Sequence, residues 1–198
     1  MRSPIYLDYA ATTPVDPQVA AQLGRHLTLE GVFGNPSSST HAFGRQAAQA
    51  VAVARAEVAA LIHADPGDLI WTSGATEANN LALFGVMRAH ARKGRHLLTA
   101  KTEHKAILDV CRRLERDGCT VTYLDPDPDG RIPLQRIAEA LRPDTVLASL
   151  MHVNNETGVI HDIAAIGALT RERGVLLHVD AAQSAGKVPI DLQSWPVD

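Results

Sequence analysis

Hydrophobic positions along the chain form short continuous runs and helix-like repeats, and turn residues separate the two. The pattern predicts a helix that begins after Pro17 and a longer, alanine-rich helix over about residues 43–62. From there on, strands and helices alternate. Strands are predicted over residues 68–72, 96–100, 120–124, 145–151 and 175–179, and helices over residues 76–91, 106–117, 134–141 and 163–173.

This alternation predicts the fold class. Apolar strands that each lead into a helix are typical of an α/β protein with a mostly parallel sheet between helices. In such folds, ligands bind at the carboxyl ends of the strands. We therefore expect functional side chains directly after the predicted strands.

Polar clusters occur at those places. A single polar residue after a strand is ordinarily a turn or a helix cap, so one cluster alone would indicate no site. Together, the clusters predict a binding site on one rim of the sheet. They cover residues 73–77, 102–104, 152–156 and 180–183.

The stretch TSGATE at residues 72–77 opens a predicted helix. Free N–H groups and the helix dipole at such an end favour an anion, and a phosphate fits best. The alternative is ordinary capping of the helix by Ser73 or Thr76. There is no GxGxxG motif, and Gly186-Lys187 lacks the remaining residues of a P-loop. A phosphate here would therefore belong to something other than a P-loop nucleotide.

Asp180 and His104 are the candidates for binding an aromatic ring. A carboxylate at the end of a buried strand needs a cation or several donors to stay ionised, and a protonated pyridine nitrogen would serve. His104 is either an ordinary polar histidine or an imidazole that stacks on a ring and moves a proton. His178 and Asp180 could ligate a metal, but the sequence offers no third ligand, so no metal site is predicted.

Composition and charge limit the classes of function that we expect for this protein. The formal net charge is −3 over 198 residues without long runs of one sign, which gives no reason to expect nucleic acid or an anionic membrane as a partner. No apolar run approaches the length of a membrane span, and no secretory segment follows Arg2, so a cytoplasmic location is expected. Cys111 and Cys119 are expected to be unpaired thiols.

At these residues the sequence resembles the N-terminal part of the cysteine desulfurases, the IscS/NifS group of pyridoxal-phosphate enzymes with the aspartate-aminotransferase type of fold. The resemblance covers the whole chain. Its motifs are YLDYAATTP at 6–14, FGNPSS at 33–38, TSGATEANN at 72–80, TEHKA at 102–106, MHVNNETG at 151–158 and HVDAAQSAGKVPIDL at 178–192.

The resemblance implies a role for each matching residue. Ala75 and Thr76 hold the phosphate of pyridoxal 5'-phosphate, and His104 stacks on the ring as the catalytic residue and proton carrier. Asp180 pairs with the pyridine nitrogen. Asn155 and Gln183 lie near the phenolic oxygen of the ring and the substrate. The family removes sulfur from L-cysteine, leaves L-alanine and an enzyme persulfide, and passes the sulfur to acceptors such as an iron–sulfur scaffold protein.

The family's Schiff-base lysine, nucleophilic cysteine and substrate-binding arginine have no counterpart in this sequence. The resemblance therefore implies an N-terminal arm at 1–15 and an incomplete cofactor-binding large domain at 16–198, from a protein that is a homodimer in its full-length form. Cofactor binding by this chain alone is expected to be non-covalent. Two alternatives stay open: another pyridoxal-phosphate lyase or aminotransferase, such as one acting on selenocysteine, and a non-catalytic binding or assembly protein.

Overall fold

The computed structural model describes residues 4–198, which divide into two compact units, one ending at Leu69 and one spanning Ile70–Asp198. In the first unit, helix α1 (Pro17–Gly24) begins after Asp16, whose side chain accepts a hydrogen bond from the N–H of Gln18. Helix α2 spans Ala42–Leu61. Both predicted helices are thus confirmed, whereas the arm boundary at residue 15 stays a prediction.

The second unit contains a parallel sheet. Its described residues form four strands in the order β2-β1-β3-β4, and every pairing is parallel. This confirms the predicted α/β class. The strands are β1 (His96–Ala100), β2 (Thr120–Leu124), β3 (Thr145–Met151) and β4 (Leu176–Asp180), and the helices are α3 (Ala75–Ala89), α4 (Lys105–Arg116), α5 (Leu134–Ala140) and α6 (Ile163–Glu172).

Helices cover both faces of the sheet. In β1, Leu97 belongs to one apolar cluster together with Leu83 of α3 and Ile107 of α4. The next residue, Leu98, belongs to a second cluster, which includes Ile166 of α6. Because successive strand residues point to opposite faces, each face needs its own apolar layer. Strands β1 and β3 are accordingly buried at every position, and most of their residues are apolar.

The prediction of a strand over residues 68–72 is wrong. Asp68 ends a short 3-10 turn (Pro66–Asp68), and no strand follows it in the described chain before helix α3. Ile70 and Trp71 are 74% and 53% exposed. An apolar run does not become a strand unless another strand accepts its hydrogen bonds. The carbonyl of Leu69 instead accepts a hydrogen bond from the Arg55 side chain.

The two cysteines are free thiols, as predicted. Cys111 lies in α4 and is fully buried. Burial, with smaller contributions from the charges of Glu103 and Glu115, raises the pKa of the Cys111 thiol to about 12. Cys119 precedes β2, and burial raises its thiol pKa as well. Neither thiol has the lowered pKa of a cysteine nucleophile. Among the described residues, no helix combines the length and apolar character that a membrane span requires.

Two helical glycines give a test of the packing. A Cβ at Gly44 in α2 would lie 1.8 Å from the carbonyl oxygen of Ser38, whereas a Cβ at Gly85 in α3 meets nothing within 4 Å. We expect Gly44→Ala to lower the free energy of unfolding by about 2 kcal/mol or more. Gly85→Ala should raise it by up to about 1 kcal/mol, because alanine is the better helix former. Urea titration measures both, and a neutral Gly44→Ala would contradict the described packing.

Candidate functional site

All four parallel strands of the second unit end at one rim, and hydrogen bonds connect the segments that follow β1, β3 and β4. The backbone N–H of His152, directly after β3, donates to the carbonyl of Asp180 at the end of β4 at 3.0 Å. The side-chain Nδ2 of Asn154 donates to the carbonyl of Thr102, after β1, at 2.8 Å. These bonds fix the position of the loops that carry the candidate residues.

Asp180 is the buried carboxylate of this rim, with 7% of its surface exposed. Its Oδ2 accepts a hydrogen bond from Nδ2 of Asn79 at 2.8 Å, and its Oδ1 accepts one from the N–H of Ala182 at 3.0 Å. Donors of this kind stabilise the ionised form of a buried acid. A carboxylate oxygen can accept more than one hydrogen bond, so Asp180 keeps capacity for a further donor or a cation.

The first turn of α3 offers unpaired backbone donors. The first intrahelical bond runs from the N–H of Ala78 to the carbonyl of Gly74 at 3.1 Å, so the N–H groups of Ala75 and Thr76 precede the helical ladder. Gly74 is the N-cap residue and supplies no side-chain cap. The alternative of a capping box is thus met only in part: no Ser73 or Thr76 side-chain cap of the first turn is described, whereas Glu77 does reach back to the N–H of Ser73. The exposed turn suits an anion.

Glu77 lies in this first turn and is held away from the free N–H groups. Its Oε2 accepts hydrogen bonds from the backbone N–H of Ser73 at 2.6 Å and from the Ser73 hydroxyl. The hydroxyl contact, followed by the backbone contact, lowers the pKa of the Glu77 carboxyl. The carboxylate thus stabilises the turn before α3 without occupying the donors of Ala75 and Thr76.

His104 is the N-cap of α4 and lies exposed after β1. Its Nδ1 accepts a hydrogen bond from the N–H of Ala106 at 3.1 Å. A ring nitrogen that accepts a hydrogen bond carries no proton, so the neutral imidazole has its hydrogen on Nε2. Nε2–H is therefore free to donate a hydrogen bond, while His104 can take up a proton only at Nδ1, in place of the contact with Ala106.

Asn155 and Gln183 stand on the same rim, after β3 and β4. Nδ2 of Asn155 donates to Glu156 at 2.9 Å, and Nζ of Lys187 donates to Oε1 of Gln183 at 3.3 Å. Both residues are half-buried. Each of these contacts joins side chains of the same segment.

Sequence reasoning placed Glu103 in the 102–104 cluster but gave it no role; the residue is buried, with 5% of its surface exposed. Its Oε1 accepts the N–H of Met151 at 2.9 Å, while Oε2 has no hydrogen-bond partner among the described residues. Burial raises the pKa of the Glu103 carboxyl to about 8, and the charge of Asp180 adds to this, whereas the bond from Met151 opposes it. The carboxyl is therefore protonated at neutral pH.

Asn79 was also given no role, although the sequence contains a signal for it. Asn79, Leu83 and Met87 recur at intervals of four residues and are the buried positions of α3. A polar residue in such an apolar stripe requires a buried partner. The spacing reveals that a partner exists, but only the fold shows that it is Asp180.

His178 forms a neutral contact rather than part of a metal site. Its Nδ1 lies 2.9 Å from the hydroxyl of Ser149. Burial lowers the pKa of His178 to about 4, although the charge of Asp180 acts in the opposite direction. In the part of the chain that the structure describes, no three His, Cys, Asp or Glu side chains are grouped to hold a metal ion.

A parallel sheet covered by helices on both faces, with its polar rim at the carboxyl ends of the strands, is the architecture of the pyridoxal-phosphate enzymes of fold type I. The sequence pattern of one family of these enzymes, aminotransferase class-V, matches residues 5–198. The chain belongs to this family.

Individual relatives agree with this assignment. The chain is 59% identical to the cysteine desulfurase IscS of Shewanella sp. (strain ANA-3), over 100% of this chain and 49% of that protein. It thus spans about half the length of the curated relatives that it matches. A solved structure of SspA in complex with cysteine aligns with a TM-score of 0.91 at 39% identity, covering 98% of this chain and 55% of that one. A NifS-like protein aligns with a TM-score of 0.93 at 33% identity, covering 98% and 53%.

Proposed function

We propose that this chain is the cofactor-binding half of a cysteine desulfurase, which removes sulfur from L-cysteine and leaves L-alanine and a persulfide on an enzyme cysteine. The family membership and the names of the relatives support the reaction class. The relative solved with cysteine supports the substrate. The observation that carries the proposal for this chain is the buried, doubly hydrogen-bonded carboxylate of Asp180 at the rim.

The residues present fit pyridoxal 5'-phosphate. In this proposal the N–H groups of Ala75 and Thr76, in the first turn of α3, bind the phosphate, and the remaining capacity of Asp180 accepts the protonated ring nitrogen. The bound cofactor supplies an electron sink for the amino-acid substrate. Asp180 maintains that property because an ionised carboxylate beside the ring nitrogen favours the protonated form of the nitrogen.

The remaining candidates act on the ring face and its edge. His104 stacks on the ring and carries protons, and a proton taken up at Nδ1 displaces the N–H of Ala106 from that nitrogen. Asn155 and Gln183 orient the phenolic oxygen and the substrate. In the full-length form we further propose a homodimer in the cytoplasm that passes sulfur to an acceptor such as an iron–sulfur scaffold protein.

Cofactor titration tests this proposal. Asp180→Ala should weaken pyridoxal-phosphate binding by about 2 kcal/mol, because one charge-assisted hydrogen bond to the ring nitrogen is lost. Thr76→Ala should change the affinity less, since its backbone N–H remains. Fluorescence titration of the purified chain measures the affinities. Asp129→Ala, which removes an exposed carboxylate, is the matched control. Equal affinity of the wild type and Asp180→Ala would contradict the assignment.

A further inference from the structure

The side chain of Asn79 makes a contact that the proposed cofactor roles do not use. Its Nδ2 donates to Oδ2 of Asp180 at 2.8 Å, although the two residues lie 101 positions apart in the sequence. Asn79 is 4% exposed and Asp180 is 7% exposed. A buried amide is costly without a partner, and a hydrogen bond to a charged acceptor is stronger than one to a neutral acceptor. The pair is thus a strong and specific link between α3 and β4.

This link joins the two ends of the proposed cofactor site. Thr76, at the phosphate end, lies three residues before Asn79 in α3, and Asp180, at the ring-nitrogen end, terminates β4. Helix α3 packs against β4. We propose that Asn79 is a positioning residue that holds the Asp180 carboxylate in a fixed place relative to the phosphate-binding first turn of α3. This inference rests on the proposed function.

The geometry explains how the positioning works. The N–H of Ala182 holds Oδ1 of Asp180, and Asn79 holds Oδ2, so one donor engages each oxygen. A carboxylate held at both oxygens cannot turn about its terminal torsion, which is otherwise broad. Without Asn79, the Ala182 contact would be the one remaining restraint among the described contacts, and Oδ2 of Asp180 would lose its fixed direction.

The test distinguishes the effect of losing the hydrogen-bond donor of Asn79 from the effect of losing its side-chain volume. Asn79→Leu keeps a branched side chain of similar size without a donor, and Asn79→Ala removes both. Each purified variant is titrated with pyridoxal phosphate and with the analogue whose ring nitrogen is replaced by C–H. Only the first ligand can use Asp180, so the ratio of the two affinities reports on the Asp180 contact. Leu81→Ala, an exposed position on α3, is the control.

We expect both variants to lower the affinity ratio by about ten-fold, chiefly through weaker binding of pyridoxal phosphate. A purely structural role would weaken both ligands and leave the ratio unchanged, and Asn79→Leu would then be milder than Asn79→Ala. That result overturns the inference. A wild-type chain that does not prefer pyridoxal phosphate over the analogue would instead contradict the proposed function.

A measurement on the wild type alone keeps the inference testable if a variant does not fold. The side-chain amide protons of Asn79, followed by NMR in the chain without cofactor, should exchange with water far more slowly than those of the exposed Gln193. Exchange as fast as at Gln193 would show that the Asn79–Asp180 bond does not persist, and would overturn the proposal.

Discussion

Replacement of Glu103 by glutamine is expected to stabilise the protein relative to the wild type, by an amount that grows as the pH rises. The carboxyl of Glu103 has an ordinary pKa of 4.5 and a pKa of about 8 in the fold. Between these values, the folded state holds a proton that the unfolded state has released. Wild-type stability therefore falls with increasing pH across this window, and the loss is complete above about pH 8. Glutamine cannot ionise and has no such loss.

The expected effect is a difference that grows with pH. The free energy of unfolding of Glu103→Gln, minus that of the wild type, should increase by about 1.4 kcal/mol per pH unit between the two pKa values. The amide oxygen can still accept the N–H of Met151, so that contact is retained. Urea titrations at several pH values measure the difference.

Two controls isolate this contribution. Glu172→Gln, the same substitution at an exposed position, is the matched control. His178, whose folded pKa is lowered to about 4, destabilises both proteins alike as the pH falls below its unfolded value of 6.5, and therefore cancels in the subtraction. A difference that is constant from pH 5 to pH 8 would show that Glu103 is not a buried neutral acid.

Release of alanine from L-cysteine is expected only when this chain is combined with a polypeptide that supplies the second half of the family fold. The chain spans about half of its curated relatives, and none of its lysines lies in the sequence motif of the family's Schiff-base lysine. Lys101 pairs with Asp125 at 2.7 Å, and Lys187 contacts Gln183. Cys111 is buried with a thiol pKa of about 12, so it is not a competent nucleophile.

The assay compares the chain alone, the second half alone and the mixture, each with pyridoxal phosphate and L-cysteine. Alanine should rise above background only in the mixture. Asp180→Ala in the mixture should abolish most of this gain, while Asp129→Ala should not. Cofactor-dependent turnover by the chain alone would contradict the prediction, and Lys101→Ala and Cys111→Ala would then identify which of its residues act.

The sequence predicts much of the fold because the sheet is buried on both faces. Strands β1 and β3 are buried at every position and apolar at most of them, and helices such as α4 carry a clear apolar stripe. Parallel strands with helical connections need both features. The same signal failed at residues 68–72, where an apolar run is exposed at Ile70. Hydrophobicity marks a preference for burial, but strand formation depends on a partner elsewhere in the chain.

For the candidate site, too, the sequence and the tertiary structure each determined a different part. The sequence by itself determined that polar residues follow the strands, and it made Asp180 and His104 candidates, because the carboxyl ends of parallel strands must share one edge of the sheet. Only the tertiary structure decided that Asn79 donates to Asp180 and that Glu103 holds the N–H of Met151. These contacts join residues 101 and 48 positions apart. Local patterns encode burial and periodicity, whereas such pairs exist only after the sheet and helices have packed, and packing also shifts the Glu103 pKa.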